Sequence, residues 1–424
     1  MKLARVWRSC AVWAVIALAL PLFVLTARPG FCGEITLLTN SHFVPAFETE
    51  LRKQVDAWGK LKGVPTRVDF VASGEFNAKM VSEAETKAGH DIVVIKQQQP
   101  ALFKDSLVDQ DALAAELGAL HGGWLPIAEQ AFVDGHWKSI PFYHQSFPAV
   151  YRTDLLKEVG YTREQVHNLT WDQLLEAAKK LHAKGKPVAF AISQTDDADN
   201  NLYMLLWSFG GSTVDKDGKV AINSPGTAKA IEYVKEIAKY MPRDVMGWDD
   251  AGNNRFMLSG QGSYTFNPPS VWATAEKDVP ALKGLLDHAP VPGGPAGRFR
   301  TTTAFFLSTW KFKASPLATD LIRFLMQKNN YQAQLEATWG YNQPLGKGFS
   351  TLPIWRTNAP LNAYEPVVET LAPMGWPGPA EKGAAAVKAW AMHIVPVMFA
   401  KAVTGTPTAE AIRWAENELQ QLYR

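Results

Sequence analysis

Two pairs of adjacent carboxylates, Asp196-Asp197 and Asp249-Asp250, carry the plainest chemical potential in this chain. Two carboxyls facing each other across a cleft at about 5–10 Å can cleave a glycosidic bond. Acids adjacent in sequence are more often a turn or a solvated surface; Asp249-Asp250 could hold ligand hydroxyls, with solvated charge or helix capping as the simpler role. The sequence holds no His-Glu-x-x-His or Cys-x-x-Cys metal spacing, no Gly-x-Ser-x-Gly nucleophile elbow and no phosphate loop. It therefore points to no catalytic residue, no metal and no cofactor. Its other promising residues are aromatic, amide and hydroxyl side chains.

The elements that position such residues begin at Ile35. Ile35 to Thr39 reads as a strand, and Pro45 to Leu61 carries apolar residues at helical spacing: Phe47, Leu51, Val55 and Trp58. Val64 to Ala72 is a second strand, Phe76 to Lys87 a helix, and Asp91 to Ile95 an almost wholly apolar third strand. Alternating strands and helices predict an α/β fold with a mainly parallel sheet. Ligands in such sheets sit beyond the carboxyl ends of the strands. Ser41, His42, Glu75 and Gln98 lie there and are the first candidate binding residues.

Further along, Trp171 to Ala183 and Pro225 to Tyr240 read as helices, the second opened by Asn223-Ser224-Pro225. Val188 to Ser193 is strand-like, Asn201 to Phe209 helical, and Val214 to Val220 a hairpin-like turn. Asp250 to Ser259 is helical, Gly262 to Phe266 and Thr302 to Trp310 are strands, and Leu317 to Gln327 is a helix. A last helix spans Pro407 to Tyr423, with Thr406 as its expected cap.

A chain of 424 residues exceeds one hydrophobic core, so two lobes are expected. Lys2, Arg5, Arg8 and Arg28 precede residue 34 with no acid among them; without these four, the 43 basic residues become 39 against 41 acidic. No basic patch argues for nucleic acid. Met1 to Arg8 is basic, Cys10 to Leu25 is apolar, and small or turn-forming residues follow, the order of a cleavable secretory signal. Cleavage after Ala27, Cys32 or Gly33 fits. Phe31 directly before Cys32 argues against lipid attachment. From Gly33 onward there is no cysteine, hence no disulfide or thiolate chemistry in that part.

One stretch then narrows the reading. Gly135, Ile140-Pro141, Tyr151, Asp154-Leu155-Leu156, Gly160 and Thr170-Trp171-Asp172-Gln173-Leu174 stand in one order and spacing. This resembles the crossover segment of extracellular solute-binding proteins of ABC importers, in the carbohydrate-binding, maltose-binding-protein-like group. Lys138, Ser139 and Arg152 depart from that pattern. Asp250 to Gly260, Gly262 to Phe266, Pro290 to Gly294 and Trp339 to Pro344 resemble later motifs of the same family.

The resemblance implies a two-lobe periplasmic-binding-protein fold with a hinge of crossing strands and a ligand cleft between lobes. Residues 1–33 would be the signal peptide, 34–146 and 265–312 the first lobe, and 147–264 and 313–424 the second. It places Tyr143 and His144 before the crossover, Asn267 and Trp272 after the returning strand, Arg300 on a turn, and Trp339 and Tyr341 on a late turn, all near the cleft. Trp272 would be the stacking aromatic, with interlobe packing as its plainer alternative; for Arg300 the plainer alternative is a solvated surface. The implied protein is a monomeric periplasmic receptor that catalyses nothing. It delivers a small sugar or polyol to permease subunits driven by a cytoplasmic ATPase. The alternatives are a receptor for a polyamine, organic acid or metal chelate, or a secreted glycosidase.

Overall fold

The computed structural model describes residues 33–97, 99–357, 360–361 and 370–424. The strands Ile35–Asn40, Thr66–Val71 and Ile92–Lys96 pair in parallel, with the first of them in the middle. The long strand Phe299–Thr309 lies antiparallel between Ile92–Lys96 and Ile140–Ser146, and Gln343–Pro344 closes the edge. Successive side chains of a strand point to opposite faces, and this sheet is apolar on both. Leu37, Ile92, Val94, Phe305 and Leu307 pack on one side, Leu38, Val93, Ile95, Ala304 and Phe306 on the other. Helix Pro45–Lys62 covers the first side through Phe47, Leu51, Val55 and Trp58, as the spacing predicts.

A second core forms around a three-stranded antiparallel sheet with Ala149–Arg152 at its centre, flanked by Tyr264–Phe266 and Leu286–Ala289. Its helices start where the local sequence directs. Thr162 and Thr170 each accept from the backbone N–H of a glutamine three residues on, and that glutamine reaches back to the cap. Ser224 caps Pro225–Ile237, whose first residue is the expected proline. The carboxy-terminal helix Thr408–Leu422 follows Pro407, which makes no side-chain cap bond, so Thr406 is not the cap. The run Val188 to Ser193 forms one bridge, Val188 to Tyr264, in place of the expected strand.

The two cores draw on the chain differently from the expected lobes. Tyr264–Phe266 pairs with Ala149–Arg152, and Val271, Leu286 and Val291 join the second core, so the segment after residue 264 stays there until Phe299. Leu321, Ile322, Tyr331 and Leu335 pack instead beneath the first sheet with Phe47 and Trp58. The expected partition put 265–312 in the first lobe and 313–424 in the second. The reason for the difference is packing. The apolar face of Pro316–Leu325 matches helix Pro45–Lys62, and the three-residue strand Tyr264–Phe266 completes the smaller sheet. Among the described residues the chain passes between the cores at Phe147-Pro148, between the strands that end at Ser146 and start at Ala149, along the long strand from Phe299, and between Leu352 and Ile354.

Candidate functional site

Between the two cores the walls come from loops and helix starts. Thr195 caps helix Asp196–Ser208, its hydroxyl accepting from the Ala198 N–H at 3.1 Å, and so fixes Asp196, Asp197 and Asp199 in the first turn. The positive end of a helix favours carboxylates there. Facing them across the cleft is Lys96, the last residue of its strand, whose ammonium pairs with the Asp196 carboxylate. Trp390 Nε1 donates to the other Asp196 oxygen at 3.1 Å.

Three adjoining cavities share Asp196. One of about 740 Å³ is bounded by Ser41, His42, Phe43 and Asn77 on one side and Thr195, Asp250 and His393 on the other. A small recess of about 50 Å³ is walled by Asn40, Gln145, Thr303 and Tyr341 opposite Asp197 and Asn200. A third, about 440 Å³ and mainly apolar, runs between Val81, Leu102 and Phe103 and the residues Val387 and Trp390. Volumes of roughly 300–1,000 Å³ are those of small-molecule sites.

The charges are unevenly matched. Burial would raise the Asp196 carboxyl, yet the Lys96 ammonium beside it holds it below the usual range. Burial, then Asp250 and Asp196, push the Asp197 carboxyl well up. Burial and Asp196 also raise Asp250. Burial pushes Asp199 up to about 8 although His393 Nδ1 hydrogen-bonds to it. Asp249, on the wall of the larger cavity but exposed, makes a two-pronged contact with Arg255. The sequence alone favours a turn or solvated surface for both Asp pairs, with helix capping or a hold on ligand hydroxyls as the alternatives at Asp249-Asp250. Asp197 is only 7% exposed, and Asp196 and Asp250 line the cleft, so that reading is corrected for these three.

The named candidates divide. Ser41, His42 and Tyr341 line the cavities, together with Phe43. His42 packs edge-on to Tyr341 at 5.0 Å; its Nδ1 accepts from the Val44 N–H, so Nε2 donates to Asn342 Oδ1 at 3.0 Å. Burial lowers its pKa to about 4, which keeps it neutral at pH 7. Tyr143 stacks on Phe305 at 4.6 Å inside the first core. His144 hydrogen-bonds to Thr302 Oγ1 at 2.9 Å, its pKa lowered to about 3 by burial and then by Arg300. Glu75 is exposed in the first turn of helix Ser73–Thr86, next to the cavity residue Gly74. Asn267 joins Asn254 and Ser270 within the second lobe. Arg300 is buried in the long strand, not solvated. Trp272 and Trp339 meet each other, ring centroids 6.2 Å apart, Trp272 also facing His288. Gln98 lies outside the described residues.

Sequence reasoning missed Lys96, Asn200, Thr195 and His393 as wall residues. Lys96 had a signal, since it ends a strand beside Gln97. His393 had none; it stands almost two hundred residues from the Asp199 it bonds.

Among the described residues, no group of three or more His, Cys, Asp or Glu is arranged to hold a metal ion. The profile of bacterial extracellular solute-binding proteins matches residues 45–328. A protein of Deinococcus radiodurans, named as an ABC transporter-binding protein, is 27% identical over 326 residues, 73% of this chain and 76% of its own length. A lactose-binding protein of Rhizobium radiobacter is 24% identical over 236 residues, 54% of each chain. Maltose-bound MalE3 of T. maritima superimposes with a TM-score of 0.78 at 24% identity, covering 92% of this chain and 99% of its own. A solute-binding protein of Agrobacterium radiobacter K84 in complex with ribitol gives 0.74 at 18% identity, covering 92% and 98%. The two-lobe architecture is thus that of periplasmic binding proteins.

Proposed function

Because the chain belongs to the bacterial extracellular solute-binding protein family, we propose that it captures a small carbohydrate or polyol between its lobes and hands it to the permease of an ABC importer. The observation that carries this is the cavity of about 740 Å³ walled from both lobes. The names of its relatives support a sugar or polyol cargo: lactose for one, maltose and ribitol for two structural neighbours.

The physical logic follows from the walls. A ligand touching both lobes binds the closed arrangement better than the open one and shifts the population toward it. Ser41, His42 and Tyr341 contribute from the first lobe, Thr195, Asp197 and Asp250 from the second. The Lys96–Asp196 ion pair spans the same gap and tightens as the walls approach. The role needs no bond broken in the ligand, so the Asp pairs bind and do not hydrolyse. Residues 1–33 direct export to the periplasm and are then removed. The permease and its cytoplasmic ATPase are the partners.

A thermal-shift screen of the purified protein against sugars, polyols, amino acids, polyamines and organic acids tests this. Binding to the folded state alone adds about 2.7 kcal/mol at a hundredfold excess over Kd. A marked rise with one sugar or polyol class is expected. Rises confined to amino or organic acids would overturn the carbohydrate cargo.

A further inference from the structure

Resting on the receptor reading above, we propose that the cargo is a hydroxylated molecule bearing a protonated amine, an amino sugar or amino polyol. Its ammonium sits in the small recess between Asp197, Asp250 and Asn200.

The recess offers acceptors. Asp196 is matched by Lys96. Asp197 and Asp250 have no ion pair among the described residues. Asp197 Oδ2 accepts from Asn253 Nδ2 at 2.6 Å, and Asp250 Oδ1 accepts from the Asp197 N–H at 3.1 Å. Asn200 supplies the independent sign of a missing guest. It is 1% exposed and lines the recess, its Nδ2 donates to the Asp196 carbonyl at 2.8 Å, and its Oδ1 has no partner. Asn40 Oδ1, on the opposite wall, also has none. A buried acceptor without a donor is destabilising.

Two donors on this wall are engaged, while the Tyr341 and Thr303 hydroxyls also line the recess. Gln145 Nε2 donates to Asn342 Oδ1 at 2.9 Å, and Lys96 is spent on Asp196. A guest that brings hydrogens suits the acceptors left over. A hydroxyl brings one and no charge, so the two carboxyls, raised by burial and by neighbouring carboxylates, hold a proton rather than both ionise. An ammonium brings three and a positive charge. A metal ion fits poorly, since no cluster of metal-ligating groups exists among the described residues.

Size points the same way. About 50 Å³ admits an ammonium-sized group and not a sugar ring, while the adjoining cavity of about 740 Å³, which shares Asp250, His42 and Phe43, holds the rest of the molecule.

Calorimetric titration of the purified protein with matched pairs tests this. Suitable pairs are glucosamine against glucose and N-acetylglucosamine, 1-amino-1-deoxyglucitol against glucitol, and the glucosamine disaccharide against cellobiose, with spermidine as an amine lacking hydroxyls. At least one amine member should bind about tenfold or more tightly than its neutral partners. That preference should vanish in Asp197→Asn or Asp250→Asn, each checked for a normal melt. Neutral partners binding as well as the amines would overturn the amine and leave the receptor reading standing. Spermidine binding as tightly as glucosamine would overturn the need for hydroxyls. Binding by none of these compounds would overturn the amine proposal and count against a carbohydrate cargo.

Discussion

At the scale of single residues, the Lys96–Asp196 pair has the most consequence. Each side chain is mostly covered, and the two come from different lobes. Removing one partner of such a pair leaves a buried charge unmatched. Lys96→Met should therefore destabilise the protein by up to about 3 kcal/mol and weaken ligand binding. Lys96→Met with Asp196→Asn should recover much of the stability, since no charge is then stranded. Urea titration of the single and double variants distinguishes this from loss of packing, in which the double would be worse than the single. Trp272 gives a second test. It is 4% exposed and packed on Trp339 and His288, so Trp272→Ala should cost about 3 kcal/mol in stability, read from the shift in denaturation midpoint. Part of this scale was legible: Ser41 and His42 follow from the rule on strand ends. Asp197 and Asn200 were not, because an acidic pair reads the same in sequence whether a lobe closes over it or water does.

At the scale of elements, helix Asp196–Ser208 organises the acidic wall. Thr195→Ala removes its side-chain cap and should cost about 1 kcal/mol. Ligand affinity should fall as well, because the first turn that frays carries Asp196 and Asp197. A melt and one titration on the same sample check both, and an unchanged affinity would separate the cap from the site. Capped helices were the readable part of this chain. Thr170 with Gln173, and Ser224 with Pro225, announce their helices through side chains next to the backbone they satisfy. Lobe membership was harder, since it depends on which distant surface an apolar face finds. Tyr264–Phe266 carries no mark choosing one sheet over the other, and the helical period of Pro316–Leu325 does not say that its partner is Pro45–Lys62.

At the scale of the whole molecule, burial lowers the pKa of five histidines, His42, His121, His144, His167 and His288. Burial lowers the pKa of His42 and of His288 to about 4 and that of His144 to about 3. In the unfolded chain each titrates near pH 6.5. Between those values the unfolded state binds protons that the folded state does not, so these rings make stability fall as pH drops below about 6.5 toward pH 4. His90 and His393, raised by their carboxylate partners against the effect of burial, and the buried carboxyls of Asp197, Asp199 and Asp250, raised chiefly by burial, run the other way over the same range. The test is therefore a difference: between pH 7 and pH 4.5, His288→Asn should lose less melting temperature than the parent chain does. An equal pH dependence in the two would contradict neutral burial of that ring.

The central claim is reversible capture without chemistry. Calorimetric titration of the purified protein with the sugar or amino sugar giving the largest thermal shift, followed by chromatography of the recovered ligand, tests it most directly. The account predicts saturable binding at one molecule per chain and ligand returned intact. Steady release of reducing ends, or heat that never saturates for any carbohydrate or polyol, would contradict it.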